Sequence, residues 1–378
     1  MRIVPLMLSA VMLVAATSPA PVSSGAVRTA LLAAIEASDH AAVAARAALL
    51  AEMGATLSSA SQDRIAPFVD ADLRESLAAR FAENAQPIAA ATPFATLPPS
   101  MELVEGIAWD GRRLFAGSAS NGRLMMYESR TWRELPLDAP PAGLFGMAVD
   151  VPRQRLWIAA GTTRRGAEAA EIWRGLIGVD LASHRIVERL AMPDGGSPGD
   201  VALAADGTLY ASDGNGGLYR CKPGCATLER MALKTPLDSP QGIVPSPDGR
   251  SQIVADYVAG LVRIDPADGS VTPIGARTPM MLEGIDGLVA HGRDLIAIQN
   301  GTRPRRILRI ALDDGGIAIR SVAAIEREPP GWDEPTLGVV AADALLYVAD
   351  AQWTAVGEDG AVKPGTVWRA TQIRRLPL

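Results

Sequence analysis

From residue 101 onward the apolar positions fall in short runs, separated by Gly, Asp or Pro, with almost no helical periodicity. Such runs predict β-strands bounded by turns. They recur as a unit. Each unit opens on one variable residue, then usually Gly, then two or three apolar residues: Glu105-Gly106, Phe145-Gly146, Gly199-Asp200, Gln241-Gly242, Asp286-Gly287 and Leu337-Gly338. The second residues of these pairs are 40, 54, 42, 45 and 51 residues apart. Second strands are predicted at residues 114–116, 156–158, 209–211, 253–255, 295–297 and 346–348, three of them after an Asp-Gly turn at Asp110-Gly111, Asp206-Gly207 and Asp248-Gly249. Third strands are predicted at residues 122–127, 176–180, 217–220, 260–265, 306–310 and 365–369, and a more polar fourth strand closes most units.

Six four-stranded units of this period predict an all-β, six-bladed β-propeller over residues 101–378. Radial stacking leaves only short sheet edges. In such a fold the first strand of each blade lines the central channel, and its opening residue rings the channel mouth. The last blade is completed from the other terminus. Residues 94–97 are the candidate closing strand, and 372–376 the rival.

The chain before residue 101 follows other rules. Residues 27–84 are Ala-rich with helical spacing, and predict an extension of two or three helices. One ends at Gly54, and another is expected over 73–81, capped by Asp72 with Glu75. His40 is expected at an exposed helix start. Residues 85–100, rich in Pro and Ala, read as a linker. Residues 1–26 read as a signal peptide: Arg2, an apolar run over 3–16, then small residues and prolines. This implies a secreted or periplasmic protein with no stable membrane insertion once the signal is removed. The helical extension is a candidate either to pack on the main domain or to mediate self-association.

Composition narrows the partners. The 36 basic and 42 acidic residues give a net charge of −6, with no basic stripe for nucleic acid and no polybasic patch for anionic lipid. The two cysteines, Cys221 and Cys225, flank Lys-Pro-Gly and are expected to form a disulfide stapling a turn. Two cysteines alone cannot complete a zinc site.

The ring at the channel mouth then reads Glu105, Phe145, Gly199, Gln241, Asp286, Leu337. Two carboxylates facing one narrow channel repel each other, and burial drives one to protonate unless a cation joins them. Carboxylate and amide oxygens suit a hard divalent cation, with Ca2+ first on ligand type. The competing reading is ordered water with a protonated carboxyl, or an ion pair with an Arg.

This pattern resembles the SMP-30/gluconolactonase/LRE family of six-bladed propellers. That family opens its first blade with Glu-Gly-Pro-x-Trp, and this chain has Glu105-Gly106-Ile107-Ala108-Trp109. The family's Asn-Gly-Leu ahead of a Ser-Pro-Asp-Gly turn looks like Gln241-Gly242-Ile243 ahead of Ser246-Pro247-Asp248-Gly249. Its Pro-Asp-Gly aspartate looks like Asp286 in Ile285-Asp286-Gly287. The resemblance implies a hydrolase of lactones or related esters acting on a small-molecule substrate. It implies one divalent metal held by Glu105, Gln241 and Asp286, with Asp286 also the general base. Two departures from the family bear on the ligand set, while the first-blade Pro is Ile107. Its third-blade Asn-Asp-Gly is here Gly199-Asp200-Val201, and its fourth-blade Asn is Gln241. Asp200 is expected to point away from the ring, because neighbouring strand residues alternate; it is kept with Trp332 as a candidate substrate contact, a buried loop anchor being the equal alternative for Trp332. The alternative function is a non-catalytic NHL-like propeller that binds a ligand or protein through a degenerate metal site.

Asp213, Asp256 and Asp350 each end a second strand and are expected to bond the next turn's backbone. Met280 and Met281 either line the channel mouth or, the favoured reading, pack at a blade edge. The insertion at residues 162–173, with Arg164 and Arg165, is either part of the surface around the mouth or a solvated loop. No histidine falls on the ring.

Overall fold

In a computed structural model of the chain, residues 23–166, 171–276, 278–313 and 315–378 are described. Most of the signal-peptide segment lies outside these residues. Six antiparallel sheets form six blades. Blade one runs Val104–Trp109, Leu114–Ser118, Leu124–Glu128 and Thr131–Glu134. Blades two to four repeat this order, opening on Gly143–Asp150, Asp200–Leu203 and Pro240–Pro245. Blade five opens on Ile285–His291 and gains a fifth strand, Gly275–Ala276, parallel to Ala318–Arg327.

Blade six settles the closure. Its strands run Gly338–Ala341, Ala344–Val348, Thr371–Pro377 and, outermost, Thr92–Leu97 from before the propeller. Both candidate closing segments are therefore used, one beside the other, with Thr96 opposite Gln372. The expected third strand at residues 365–369 does not form, and Thr371–Pro377 takes its place. The reading of 85–100 as a linker is accordingly amended, since this segment supplies a strand that ties the ring shut.

The blades are held by apolar layers between neighbouring sheets. Leu144, Ile158 and Ile177 of blade two bury against Phe115, Leu124 and Met126 of blade one. Leu345 and Tyr347 of blade six bury against Ile296, Ile298 and Ile307 of blade five. The Cys221–Cys225 disulfide is present, with Cα atoms 5.7 Å apart, stapling the turn that leaves the third strand of blade three.

The extension holds four α-helices among the described residues: α1 (Ser24–Glu36), α2 (His40–Glu52), α3 (Ser59–Ile65) and α4 (Ala71–Ala85). Each starts on a side-chain cap, from Ser23, Asp39, Ser58 and Asp70 respectively. The cap of α4 is Asp70, two residues before the Asp72 expected from sequence; its carboxylate accepts from Leu73 N at 2.8 Å. Gly54 has φ +81° and follows α2, the left-handed ending that glycine permits. His40 begins α2 and is exposed.

Val43, Leu50 and Phe81 pack on one another and on Met281 of blade five. Asn84 ties α4 to the end of α2, donating to the Ala51 and Ala55 carbonyls at 2.9 and 2.8 Å. Polar bonds dock the extension on the same blade. Arg327 donates to the carbonyls of Glu83 and Asn84, both at 2.8 Å, and the Ser24 N–H donates to Glu283 at 2.6 Å. Glu326 accepts the Ala90 and Ala91 N–H groups at 2.7 and 3.0 Å, leading the chain into its closing strand.

Candidate active site at the channel mouth

All six ring positions line one cavity of about 470 Å³. The first strands of blades one, two, four and five each carry a register shift where the ring residue sits, between Val104 and Ile107, Leu144 and Met147, Pro240 and Ile243, and Ile285 and Gly287. Such bulges break alternation and re-aim a side chain. They let Glu105, Phe145, Gln241 and Asp286 turn toward the axis while the following residues rejoin the ladder.

Blade three has no register shift: Asp200 pairs directly with Ser212. Gly199 lies just before the ladder, its N–H donating to the Ser212 carbonyl at 2.8 Å. Asp200 thereby takes the position that is glycine in the other five blades. The expectation that it points away does not hold, since Asp200 lines the same cavity. The room comes from blade two, where a Cβ on Gly146 would lie 2.0 Å from Asp200 Oδ1. Two backbone N–H groups hold the carboxylate, Val201 at 2.8 Å and Ile243 at 3.3 Å.

Gln241 offsets the missing side chain at Gly199. Its extra methylene carries Oε1 to 3.7 Å from where a Gly199 Cβ would sit, while Nε2 donates to Ser239 Oγ at 3.0 Å. The amide oxygen thus occupies space that a longer residue at 199 would fill.

Four carboxyls wall this space: Glu105, Asp200, Asp286 and Glu334. Burial, reinforced by the Asp286 charge, holds Glu105 well above the usual carboxylate range. The Trp353 indole opposes this by donating to Glu105 Oε2 at 2.7 Å. Burial pushes Asp286 to about 6, against the Asn300 amide, which donates to Oδ2 at 2.7 Å. Asn300 is itself fixed, donating to the Pro335 carbonyl at 2.9 Å and accepting from the Tyr257 hydroxyl at 3.0 Å. Burial lifts Asp200 to about 7. Burial also raises Glu334, with Arg305 pulling the other way. Among the described residues on the wall, Arg165 is the one cation, and its backbone N–H donates to the Asp359 carbonyl of blade six at 2.9 Å. The described part of the 162–173 insertion therefore belongs to the mouth rather than to free solvent.

The structure thus brings Glu105, Gln241, Asp286 and Asp200 together and leaves Trp332 out. Trp332 is not on the cavity wall: its Nε1 donates to the Tyr347 hydroxyl at 3.0 Å, edge-on in the layer between blades five and six. The indole at the site is Trp353, in a short turn of the blade-six excursion. Sequence reading missed it because that excursion carries no repeat register. It also missed Asn300 and Tyr257, each the residue just after a second strand. Asp213 and Asp256 bond turn backbone as expected, to Asn215 N–H at 3.0 Å and Val258 N–H at 3.0 Å. Asp350 pairs with Arg369 at 2.9 Å and also interacts with the Gln352 backbone N–H. Met281 packs on the extension and Met280 on blade five.

Among the described residues, no group of three His, Cys, Asp or Glu side chains is arranged to hold a metal ion. A ligand set here needs the Gln241 amide as its third member.

A family model described as strictosidine synthase-like, N-terminal, matches residues 185–221, from the last strand of blade two to the third strand of blade three. Among solved structures, the chain is similar to a gluconolactonase from Xanthomonas campestris at 19% identity, over 77% of this chain and 99% of that one, with a TM-score of 0.47. It is similar to a putative oxidoreductase (glucose dehydrogenase) from Thermus thermophilus at 17% identity, over 75% and 98%, with a TM-score of 0.49. It is also similar to a virginiamycin B lyase from Staphylococcus aureus at 15% identity, over 76% and 99%, with a TM-score of 0.47. No curated protein matches the chain.

Proposed function

We propose that the mouth cavity hydrolyses a lactone or related ester with one divalent cation, Ca2+ being first on ligand type. One observation carries this reading. Glu105, Gln241 and Asp286 arrive from three blades in one cavity, both carboxyls are buried, and the Asp286 charge adds to burial in raising Glu105. Each carboxyl has one oxygen held by a neutral donor, Trp353 or Asn300. Such a pair fits a hard cation, which removes the repulsion that otherwise favours protonation. Glu105, Gln241 and Asp286 would hold it. When bound, the cation supplies Lewis-acid polarisation of the scissile carbonyl.

The protein groups do the rest. Asn300 fixes Asp286 through Oδ2, so Oδ1 is the atom that takes the proton from an attacking water. In the cation-free protein burial pushes Asp286 to about 6, above an ordinary aspartate, and it is still ionised at neutral pH; a cation bound beside it would lower that value. Trp353 orients Glu105. Asp200 and Arg165 reach the same space and are placed to meet the polar groups of a small substrate. We read the chain as exported, and the disulfide supports a secreted or periplasmic setting.

The second reading, a binding propeller without catalysis, draws on the finding that, among the described residues, no three His, Cys, Asp or Glu side chains are arranged to hold a metal ion. A screen of aldonolactones and acyl lactones separates the two. Turnover abolished by a chelator and restored by Ca2+ is expected. Turnover on none of them, or turnover indifferent to chelator, overturns the hydrolase.

A further inference from the structure

A second cavity, of about 640 Å³, lies between the helical extension and blade five. α1 supplies one side and the 300–305 turn of blade five the other. Asn300 belongs to the walls of both cavities, and it is the residue that fixes Asp286. The two spaces are therefore neighbours across a single side chain.

The charge on this wall is lopsided. Arg28, Arg303 and Arg305 line it, against one carboxylate, Glu283. Both Glu283 oxygens already accept backbone N–H groups, from Ser24 at 2.6 Å and Leu282 at 3.1 Å. Arg28 donates to a neutral acceptor, the Thr56 carbonyl, at 3.0 Å. Arg303 pairs with Glu328 at 2.7 Å, and Arg305 lies 3.9 Å from Asp333; neither acid lines the cavity. Arg305 Nε and Thr302 Oγ1 are buried with no hydrogen-bond partner. Buried polar atoms without a partner cost stability and call for an explanation.

We propose that this cavity is an anion subsite, which binds a carboxylate carried by the substrate whose lactone or ester bond lies in the neighbouring cavity. The proposal rests on the hydrolase reading of that cavity. Guanidinium forks match carboxylates in plane and in spacing. Arg28 comes from α1, so the extension contributes directly to substrate choice and the propeller alone would lack part of the subsite.

The test uses the full chain and two substrates, an uncharged aldonolactone and an aldaric monolactone that adds a carboxylate at its far end. Arg28→Ala and, separately, Arg303→Ala are expected to raise KM for the acid-bearing lactone about tenfold, the size of one charge-assisted bond. They should leave its kcat, and both constants for the neutral lactone, unchanged. Arg303 is exposed, so its variant keeps the test valid if Arg28→Ala loosens α1. Equal shifts for the two lactones, or none for either, overturn the subsite. If neither lactone turns over, the hydrolase reading fails alone, and calorimetry with the ring-opened aldarate dianion decides. Binding about tenfold weaker in both variants upholds the subsite; no binding to the wild type, or equal binding, overturns it.

Discussion

Two layers of the channel, one residue apart in sequence, differ in what they admit. The mouth layer holds Glu105, Phe145, Gly199, Gln241, Asp286 and Leu337, six different side-chain choices around one space. The layer beneath is Gly106, Gly146, Gly242, Gly287 and Gly338, with Asp200 as its exception. Packing explains the glycines. A Cβ on Gly106 would meet the Phe145 carbonyl at 1.7 Å, and one on Gly287 the Thr336 carbonyl at 2.5 Å, so neighbouring first strands touch backbone to backbone. The mouth layer, freed of that contact, can carry chemistry. Blade three inverts the order, with glycine above and a carboxyl below, and its neighbours adapt through Gly146 and Gln241.

The comparison breaks most visibly in the lower layer. Gly106→Val should prevent folding or lower stability by more than about 3 kcal/mol, because the obstacle is backbone that cannot swing aside. Soluble yield and thermal unfolding measure it. Asp200→Asn comes next, and its sign depends on pH. The folded pKa of about 7 lies above the usual aspartate value, so the protonated form stabilises the fold fully below about pH 4. That contribution is lost as pH rises through 7. The cation-free wild type should therefore unfold more easily at pH 8 than at pH 5. The variant should flatten this trend, gaining on the order of a few kcal/mol at pH 8. An unchanged profile would place Asp200 outside the buried layer.

Trp353→Phe removes the donor to Glu105 and should cut turnover roughly tenfold with little change in unfolding temperature. Trp332→Phe should do the reverse, costing about 1 kcal/mol of stability through the lost Tyr347 bond while sparing turnover. Gly199→Ala is the mildest change. The nearest atom to its Cβ is 3.7 Å away, so stability should stay within about 0.5 kcal/mol of the wild type. A large loss there would mean the mouth layer is packed as tightly as the one below it.

Much of this was legible in the chain because propeller repeats keep register. The Glu105-Gly106 frame and its five echoes gave blade number, channel-lining strands and the residues at the mouth. What lay outside the repeat was not legible. Trp353 sits between the second and third strands of blade six, where an excursion of no fixed length displaces the expected strand at 365–369. Asp200 obeyed alternation in its own strand, yet the side it faced depended on bulges in neighbouring blades that no local pattern reveals. Trp332 looked right by position, but an aromatic on a mouth loop can equally turn into the seam between blades, and the Tyr347 hydroxyl holds it there. The docking of the extension was hidden for a similar reason: its helical spacing left packing on the propeller and self-association both open, and only the fold shows Met281 as the partner.

The central claim is that Glu105, Gln241 and Asp286 act as one ligand set. Calorimetric titration of Ca2+ into the chelator-treated protein, alongside Asp286→Ala, tests it most directly. The account predicts a single site in the wild type and none in the folded variant. Absence of binding in the wild type, or unchanged binding in Asp286→Ala, would contradict it.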